Sequence, residues 1–162
     1  MAWDIRIYPE LDLAWVRYHG DVTDADYRAV VAAYPEHPDF RLGQRMLVDL
    51  RDMRSLKFRH LLVIALQARI ADYAMRSPNE ILQVIVAPSS LAMKATSTVL
   101  RSWRGLATPV VRRVVGELDE AATILGIDEA KLHRIGREVR LPAPGARGPQ
   151  PGPSGGAKGS EG

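Results

Sequence analysis

Hydrophobic and polar side chains alternate over the first twenty residues. Trp3, Ile5 and Ile7 alternate with polar residues, and a second alternating segment follows Pro9 over residues 11–19. Successive side chains of a β-strand point to opposite faces of a sheet, so this spacing is typical of half-buried strands. The pattern predicts two strands joined by a tight connection.

A helix is predicted directly after this hairpin. Thr23 is a candidate N-cap, and Asp26, three residues later, completes a weakened capping box in which Asp replaces the preferred Glu. Tyr27 and Tyr34, seven residues apart, lie on one face of such a helix. We expect the helix to end before Pro35, because a proline disfavours helical geometry in the residue that precedes it.

Beyond residue 44, short apolar runs alternate with longer segments of helical spacing. The apolar runs predict strands over residues 45–50, 81–86 and 109–115. The longer segments predict helices over residues 56–76, about 90–104, 118–125 and about 128–140. The order predicts an α/β fold: a mixed five-stranded sheet, with an N-terminal hairpin and then alternating helices and strands, covered by its helices through right-handed crossovers.

The composition changes after residue 141. Residues 142–162 contain five Pro and seven Gly, and a segment of this kind cannot bury enough apolar surface to offset the entropy lost on ordering. We therefore predict one domain over residues 1–141 and a disordered tail over residues 142–162. A G-x-S-x-G match around Ser154 lies in this tail, without the strand-to-helix turn that a hydrolase nucleophile needs.

Overall composition narrows the classes of function. The 162-residue chain has no cysteine, which excludes disulfides, thiolate catalysis and cysteine-ligated metals, and we expect no cofactor. Its 22 Lys and Arg against 19 Asp and Glu give a formal net charge of only +3, so no nucleic-acid partner is expected. No apolar run reaches the roughly 20 residues of a membrane span, and no charged leader precedes an apolar stretch. We therefore expect a cytoplasmic protein.

Several segments together resemble a known family. They are Ala14 to Tyr18 running into Gly20-Asp21-Val22-Thr23, Tyr27, Pro38-Asp39-Phe40, the strand Leu47-Val48-Asp49-Leu50-Arg51-Asp52, and Glu117 to Gly126. In order and spacing they are similar to the bacterial STAS/SEC14-like (SpoIIAA-like) domain proteins, over residues 3–127. This resemblance implies a non-enzymatic α/β domain, because relatives with this fold act as partner-switching regulators or hold an apolar ligand under a helix.

The regulators of this family are switched by phosphorylation of a serine at the start of the helix after the Asp-bearing strand. Phe58 and Arg59 stand at that position here. Ser55 is nearby, but we place it within a turn over residues 52–55. The phosphorylation site is therefore not carried over to this chain.

Seven residues after two central strands are candidate ligand or partner contacts: Arg51, Arg54, Ser55, Arg59, Ser89, Ser90 and Lys94. The arginines could bind an anionic head group or an acidic partner surface, with help from the start of the helix predicted at residue 56. The alternative is a solvated, salt-bridged rim. The serines either form the polar mouth of a pocket or only begin a helix.

A hydrolase would need Ser55, His60 and an aspartate, Asp49 or Asp52, to align as a catalytic triad, but we interpret Asp52, like Ser55, as a turn residue. We interpret Asp49 as a strand-end residue and His60 as a solvated side chain, so no enzyme is expected.

The predicted helix over residues 56–76 is apolar well beyond one stripe. A self-association surface, contact with the last helix and an apolar ligand slot each explain this width. Together with the resemblance, it predicts a non-catalytic cytoplasmic domain that acts through contact with a protein partner or a second copy of itself. The alternative is a carrier or sensor of a lipid or other apolar or anionic small ligand.

Overall fold

The computed structural model describes residues 1–138, in which one sheet is covered by helices on both faces. The strands are β1 (Trp3–Tyr8), β2 (Leu13–Thr23), β3 (Arg45–Lys57), β4 (Ile81–Val86) and β5 (Val110–Val115). The α-helices are α1 (Asp24–Glu36), α2 (His60–Ala74), α3 (Ser90–Ser102), α4 (Leu118–Leu125) and α5 (Glu129–Glu138). The tail predicted over residues 142–162 and the last two residues of the predicted final helix lie outside the described residues.

The five strands lie side by side in chain order. β1 pairs antiparallel with β2, and every other neighbouring pair is parallel. The predicted α/β class and the mixed sheet with its N-terminal hairpin are therefore confirmed. Because β2 to β5 follow one another across the sheet, right-handed crossovers place the three connecting helices, α1 to α3, on the same face.

Strand alternation divides the core into two halves. Trp15 and Leu47 point to one face, where they pack with α4 and α5 through residues such as Leu132. Val16 and Ile85 point to the opposite face, beneath α1 and α3. Neighbouring positions along each strand thus serve different layers, as the period of two requires.

The predicted turn over residues 52–55 and the helix start at residue 56 are both wrong. β3 continues to Lys57, with register shifts opposite β2 at two points where it carries an extra residue. The physical reason is that β2 also extends beyond residue 19, to Thr23. Its backbone N–H and C=O groups need a partner strand, and this pairing overrides the local turn preference. Helix α2 consequently begins at His60, after Arg59.

The predicted helix ends are mostly confirmed. Thr23 and Asp26 form the expected capping box, Ser89 caps α3 by accepting from the backbone N–H of Ala92 at 3.1 Å, and Asp128 accepts from the N–H of residue 131 at 2.8 Å. α1 differs, since it continues through Pro35 to Glu36. A proline in the last turn removes only one intrahelical hydrogen bond, which a helix end tolerates. No helix within residues 1–138 combines the length and the apolar character needed to cross a membrane.

Candidate functional site

Arg51, the first predicted contact residue, is engaged by a buried carboxylate of its own strand. Its Nε and Nη2 donate to the two carboxylate oxygens of Asp49 at 2.9 and 2.8 Å, and Asp49 is 0% exposed. These hydrogen bonds raise the pKa of Arg51 above its ordinary value. Arg51 borders a cavity of about 120 Å³ beside α4 and α5, whereas the next candidate, Arg54, is exposed.

The other predicted residues near the end of β3 bind acidic residues of β2 and α1. Ser55 Oγ donates to Asp21 at 2.8 Å, and Arg54 Nη2 lies 3.8 Å from the second oxygen of the same carboxylate. Arg59 donates to Asp24 from its backbone N–H at 2.7 Å and from Nε at 2.5 Å, and the hydrogen bonds lower the pKa of that carboxyl group. The arrangement is a solvated, salt-bridged rim.

The remaining three candidates lie at the start of α3. Ser89 is the N-cap, and Ser90 and Lys94 are exposed. Within residues 1–138, no hydrogen bond or ion pair connects these three side chains with the arginines of β3 or with Arg59. The seven predicted residues therefore do not contact one another as a single group, and their role as ligand or partner contacts stays a prediction.

Of the roles expected for the triad-type residues, exposure of His60 is confirmed, whereas the strand-end position of Asp49 and the turn position of Ser55 are wrong, because both residues lie within the longer β3. Asp49 binds Arg51, Ser55 binds Asp21, and His60 is exposed at the start of α2. In the part of the chain that the structure describes, no three His, Asp or Glu side chains lie close enough together to hold a metal ion.

A cavity of about 750 Å³ lies between the sheet and helices α1, α2 and α3. Most of its lining is aliphatic and aromatic; the side chains include Val16, Tyr27, Val30, Met46, Val48, Ile70, Tyr73, Ile85 and Val99. The inner faces of α2 and α3 contribute the small residues Ala74, Ala95 and Thr96. Because small side chains face the middle of the layer, the helices cover the sheet without filling the space beneath them.

Helix α2 covers one side of this cavity. Gln67, Ile70 and Ala74 line the cavity, while Leu61 and Ile64 on the outer side are 82% and 45% exposed. One predicted explanation for the many apolar residues of α2 was contact with the last helix. This explanation is wrong, because α5 packs against the opposite face of the sheet. Part of the apolar surface of α2 is explained by the cavity, because its inner side lines it.

Gln67 links the three covering helices through two hydrogen bonds. Its Nε2 donates to the hydroxyl oxygen of Tyr27 in α1, and its Oε1 accepts from the indole N–H of Trp103 at the end of α3. Tyr27 thus acts as an acceptor here and keeps its own hydroxyl hydrogen for another partner. Burial raises the pKa of Tyr27 to about 12, so the hydroxyl is a neutral donor at neutral pH.

Arg112, on β5, is the charged residue among the polar side chains at this end of the cavity. Its Nε donates to Gln83 Oε1 at 2.6 Å, and its guanidinium carbon lies 3.8 Å from the centroid of the Trp103 ring. Burial lowers the pKa of Arg112 to about 10, so the side chain stays protonated at neutral pH. Within residues 1–138, no carboxylate forms a salt bridge with it.

Gln67, Tyr27, Trp103 and Arg112 were not among the residues predicted from the sequence to form a site. Two local signals were present: Gln67 interrupts an apolar helix, and Arg112 interrupts an apolar strand. Neither signal alone distinguishes a residue that lines a cavity from an ordinary polar position. Their convergence depends on helix packing, which local spacing does not specify.

No protein-family model matches this chain, and no curated protein matches it. The sheet order and the mixed strand directions are consistent with a STAS-like α/β fold. Membership of the SpoIIAA-like family stays a prediction that rests on the order of the motifs in the sequence.

Proposed function

We propose that this protein is a cytoplasmic, non-catalytic domain that carries or senses an apolar small molecule, held in the cavity between the sheet and α1 to α3. The observation that carries the proposal is the cavity itself, with a volume of about 750 Å³ and a largely apolar lining. Pockets for small molecules have volumes of about 300–1,000 Å³ and are lined mainly by hydrophobic side chains.

The packing of the two faces of the sheet supports this proposal. On the face covered by α4 and α5, Trp15, Leu47 and Leu132 are almost completely buried in one cluster. Protein interiors are normally packed this closely, with few voids larger than a water molecule. An empty cavity of this size leaves its lining atoms without dispersion partners. An apolar ligand would supply those partners and remove apolar surface from water.

The SEC14-like branch of the resemblance agrees with this proposal, because it implies an apolar ligand under a helix. In this chain α2 is the helix that lies over the cavity with Gln67 and Ile70 on its inner side. The proposal therefore favours the ligand-binding alternative over the regulator branch.

Contact with a protein partner or a second copy of the chain is the second candidate. It is favoured by apolar side chains on the outer sides of α2 and α3, which include Leu61, Ile64, Met93 and Leu100. Sedimentation equilibrium of the full chain and of the double variant Leu61→Gln and Ile64→Gln tests it. A dimer that the double variant dissociates would support this candidate.

The ligand proposal is tested with the full-length protein and the neutral, solvatochromic dye Nile red. Ala95, which lines the cavity from α3, is replaced by Phe to occupy the empty volume. The matched control is Ala68→Phe, since Ala68 is exposed on α2 and does not line the cavity. Native mass spectrometry of the untreated protein reports any ligand that is retained through purification.

We expect the unmodified protein and Ala68→Phe to bind the dye and Ala95→Phe to lose binding while retaining its circular dichroism spectrum. Equal binding by all three proteins would place the dye outside the cavity and contradict the proposal. Absence of both dye binding and a retained ligand in the unmodified protein would also contradict it.

A further inference from the structure

Building on the proposed ligand-binding function, we infer that the ligand is a single-chain amphiphile whose anionic head group binds the Arg112 guanidinium and the Tyr27 hydroxyl, with its alkyl chain in the apolar part of the cavity. Both side chains line the cavity. The alkyl chain would lie against aliphatic residues of the sheet such as Val16, Val48 and Ile85.

Arg112 is a half-buried cation that has no carboxylate partner among residues 1–138. Two other arginines on the sheet are compensated by carboxylates, Arg17 by Asp52 and Arg51 by Asp49. Arg45, on β3, instead donates from both terminal nitrogens to backbone carbonyl oxygens. Arg112 has Gln83 and the Trp103 ring as its described partners, neither of which carries a negative charge. Burial of an uncompensated charge is costly, and a bound anion removes that cost.

The guanidinium of Arg112 is held in place while its terminal nitrogens keep unused hydrogen-bond donors. The hydrogen bond from Nε to Gln83 and the stacking on Trp103 fix the position and plane of the group. Within residues 1–138, no protein acceptor takes a hydrogen bond from its two terminal nitrogens. A planar guanidinium with free terminal N–H groups matches a carboxylate or a phosphate, which accept two parallel hydrogen bonds.

Tyr27 supplies a second hydrogen-bond donor at the same end of the cavity. Its hydroxyl oxygen accepts from Gln67, so the hydroxyl hydrogen is left for a ligand. Tyr27 and Arg112 are close enough to influence each other, because the positive charge of Arg112 partly opposes the rise in the pKa of Tyr27 that burial causes. A head group between them would receive hydrogen bonds from both side chains.

The shape of the site separates an amphiphile from a purely apolar molecule. Five other charged residues line the cavity, and all of them are exposed: Glu36, Arg41, Arg69, Asp72 and Arg76. Arg112 is the charged lining residue that is partly shielded from solvent, and the inner sides of β2 and β3 contribute apolar residues such as Val16 and Val48. A neutral ligand would leave the guanidinium unpaired, whereas an anion without a chain would leave the apolar part empty. The lining therefore matches a molecule with one anionic end and one alkyl chain.

The test compares three probes with the same alkyl chain: laurate, lauryl phosphate and lauryl alcohol. Their affinities are measured by displacement of Nile red from the full-length protein, from Arg112→Met and from the matched control Arg113→Met. Arg113 is the next residue on β5 and is exposed, so its replacement removes the same charge outside the cavity. Arg112→Lys is a second variant, which keeps the charge but cannot form two parallel hydrogen bonds.

We expect the unmodified protein and Arg113→Met to bind at least one of the anionic probes about 10- to 100-fold more tightly than lauryl alcohol, as charged hydrogen bonds provide. Arg112→Met should lose this preference and keep its affinity for the alcohol, and Arg112→Lys should keep part of it. The tighter of the two anionic probes identifies the head group as a carboxylate or a phosphate.

Equal affinities for all three probes in the unmodified protein would overturn the inference while leaving the proposed function intact. The same holds if Arg113→Met loses the preference as fully as Arg112→Met does. If no probe and no dye binds, the proposed function itself fails. Arg112→Lys decides the inference if Arg112→Met does not fold. A reduced preference for the anionic probes in Arg112→Lys would support the inference, and an unchanged preference would overturn it.

Discussion

The guanidinium carbon of Arg112 lies 3.8 Å from the centroid of the Trp103 ring, and the indole N–H of Trp103 donates to Gln67. Gln67 in turn donates to the hydroxyl of Tyr27. One continuous series of contacts therefore connects β5, α3, α2 and α1 around the cavity. These polar contacts hold the helices over the sheet at a place where close apolar packing is missing.

The hydrogen bond between Trp103 and Gln67 is expected to stabilise the fold measurably. Trp103→Phe keeps an aromatic ring but removes the indole N–H, so the buried Oε1 of Gln67 loses its partner. We expect the free energy of unfolding, measured with urea, to fall by about 1–3 kcal/mol. The control is a double-mutant cycle with Gln67→Met: the two losses should not add, and strict additivity would contradict the importance of this hydrogen bond.

Buried tyrosines should make the protein unfold at alkaline pH. Burial raises the pKa of Tyr27 to about 12 and raises the pKa values of Tyr18 and Tyr34 as well. An unfolded tyrosine ionises near pH 10, so above this pH the unfolded state binds fewer protons than the folded state. The resulting stability is complete below about pH 10 and is lost as pH rises through the folded-state values.

The measurement is the free energy of unfolding between about pH 8 and about pH 11, with Tyr27→Phe for comparison. For Tyr27 the shift of two pKa units corresponds to at most about 3 kcal/mol. The variant should lose stability less steeply above about pH 10 than the unmodified protein. Identical slopes would show that Tyr27 ionises as easily in the folded state as in the unfolded one.

The sequence was sufficient to predict the element order and the sheet. Alternation in Trp3, Ile5 and Ile7, the cap at Thr23 and the stop at Gly126 are local signals, and each is found where it was expected. The extension of β3 past residue 50 was not predictable from local preference, because it depends on pairing with β2, a segment more than thirty residues away.

The candidate site was less predictable than the fold. The basic residues at the end of β3 and just after it were the most prominent candidates in the sequence, but Arg54 and Arg59 have acidic partners from other elements. Those partners are distant in sequence, so the charge balance could not be read from the arginines alone. Arg112 could not be recognised for the same reason. Its importance depends on the absence of a carboxylate partner among residues 1–138, which only the packing of distant segments shows.

Gly136 marks a close approach between α5 and the sheet. A Cβ atom at this position would lie 2.8 Å from Cη2 of Trp15, and the Trp15 ring is fixed in the core. We expect Gly136→Ala to destabilise the protein by about 1 kcal/mol, because overpacking costs more than the gain in helix propensity. Gly116→Ala is the control, since its Cβ would meet only Glu120 at 3.6 Å. Increased thermal stability of Gly136→Ala would contradict this packing.

The buried pair of Asp49 and Arg51 should be structural. Asp49→Asn removes the negative charge that compensates Arg51 and should lower the free energy of unfolding by about 3 kcal/mol. Asp21→Asn changes the exposed partner of Arg54 and should alter stability by less than about 1 kcal/mol. Equal effects of the two substitutions in urea unfolding would show that the Asp49–Arg51 pair contributes no more to stability than the exposed Asp21–Arg54 pair.

Binding of an anionic amphiphile should weaken at alkaline pH because Arg112 loses its charge. Burial lowers the pKa of Arg112 to about 10, and Tyr27, the titratable neighbour that influences it, stays protonated to about pH 12. The affinity for laurate should therefore be nearly constant from about pH 7 to about pH 9 and should fall about tenfold per pH unit above about pH 10, toward that for lauryl alcohol. Lauryl alcohol is the internal control for unfolding, since its affinity should not change while the cavity stays folded. A parallel decline for both probes would mean that the cavity is lost before Arg112 titrates, and a constant affinity for laurate above about pH 10 would exclude Arg112 as the group that binds the anion.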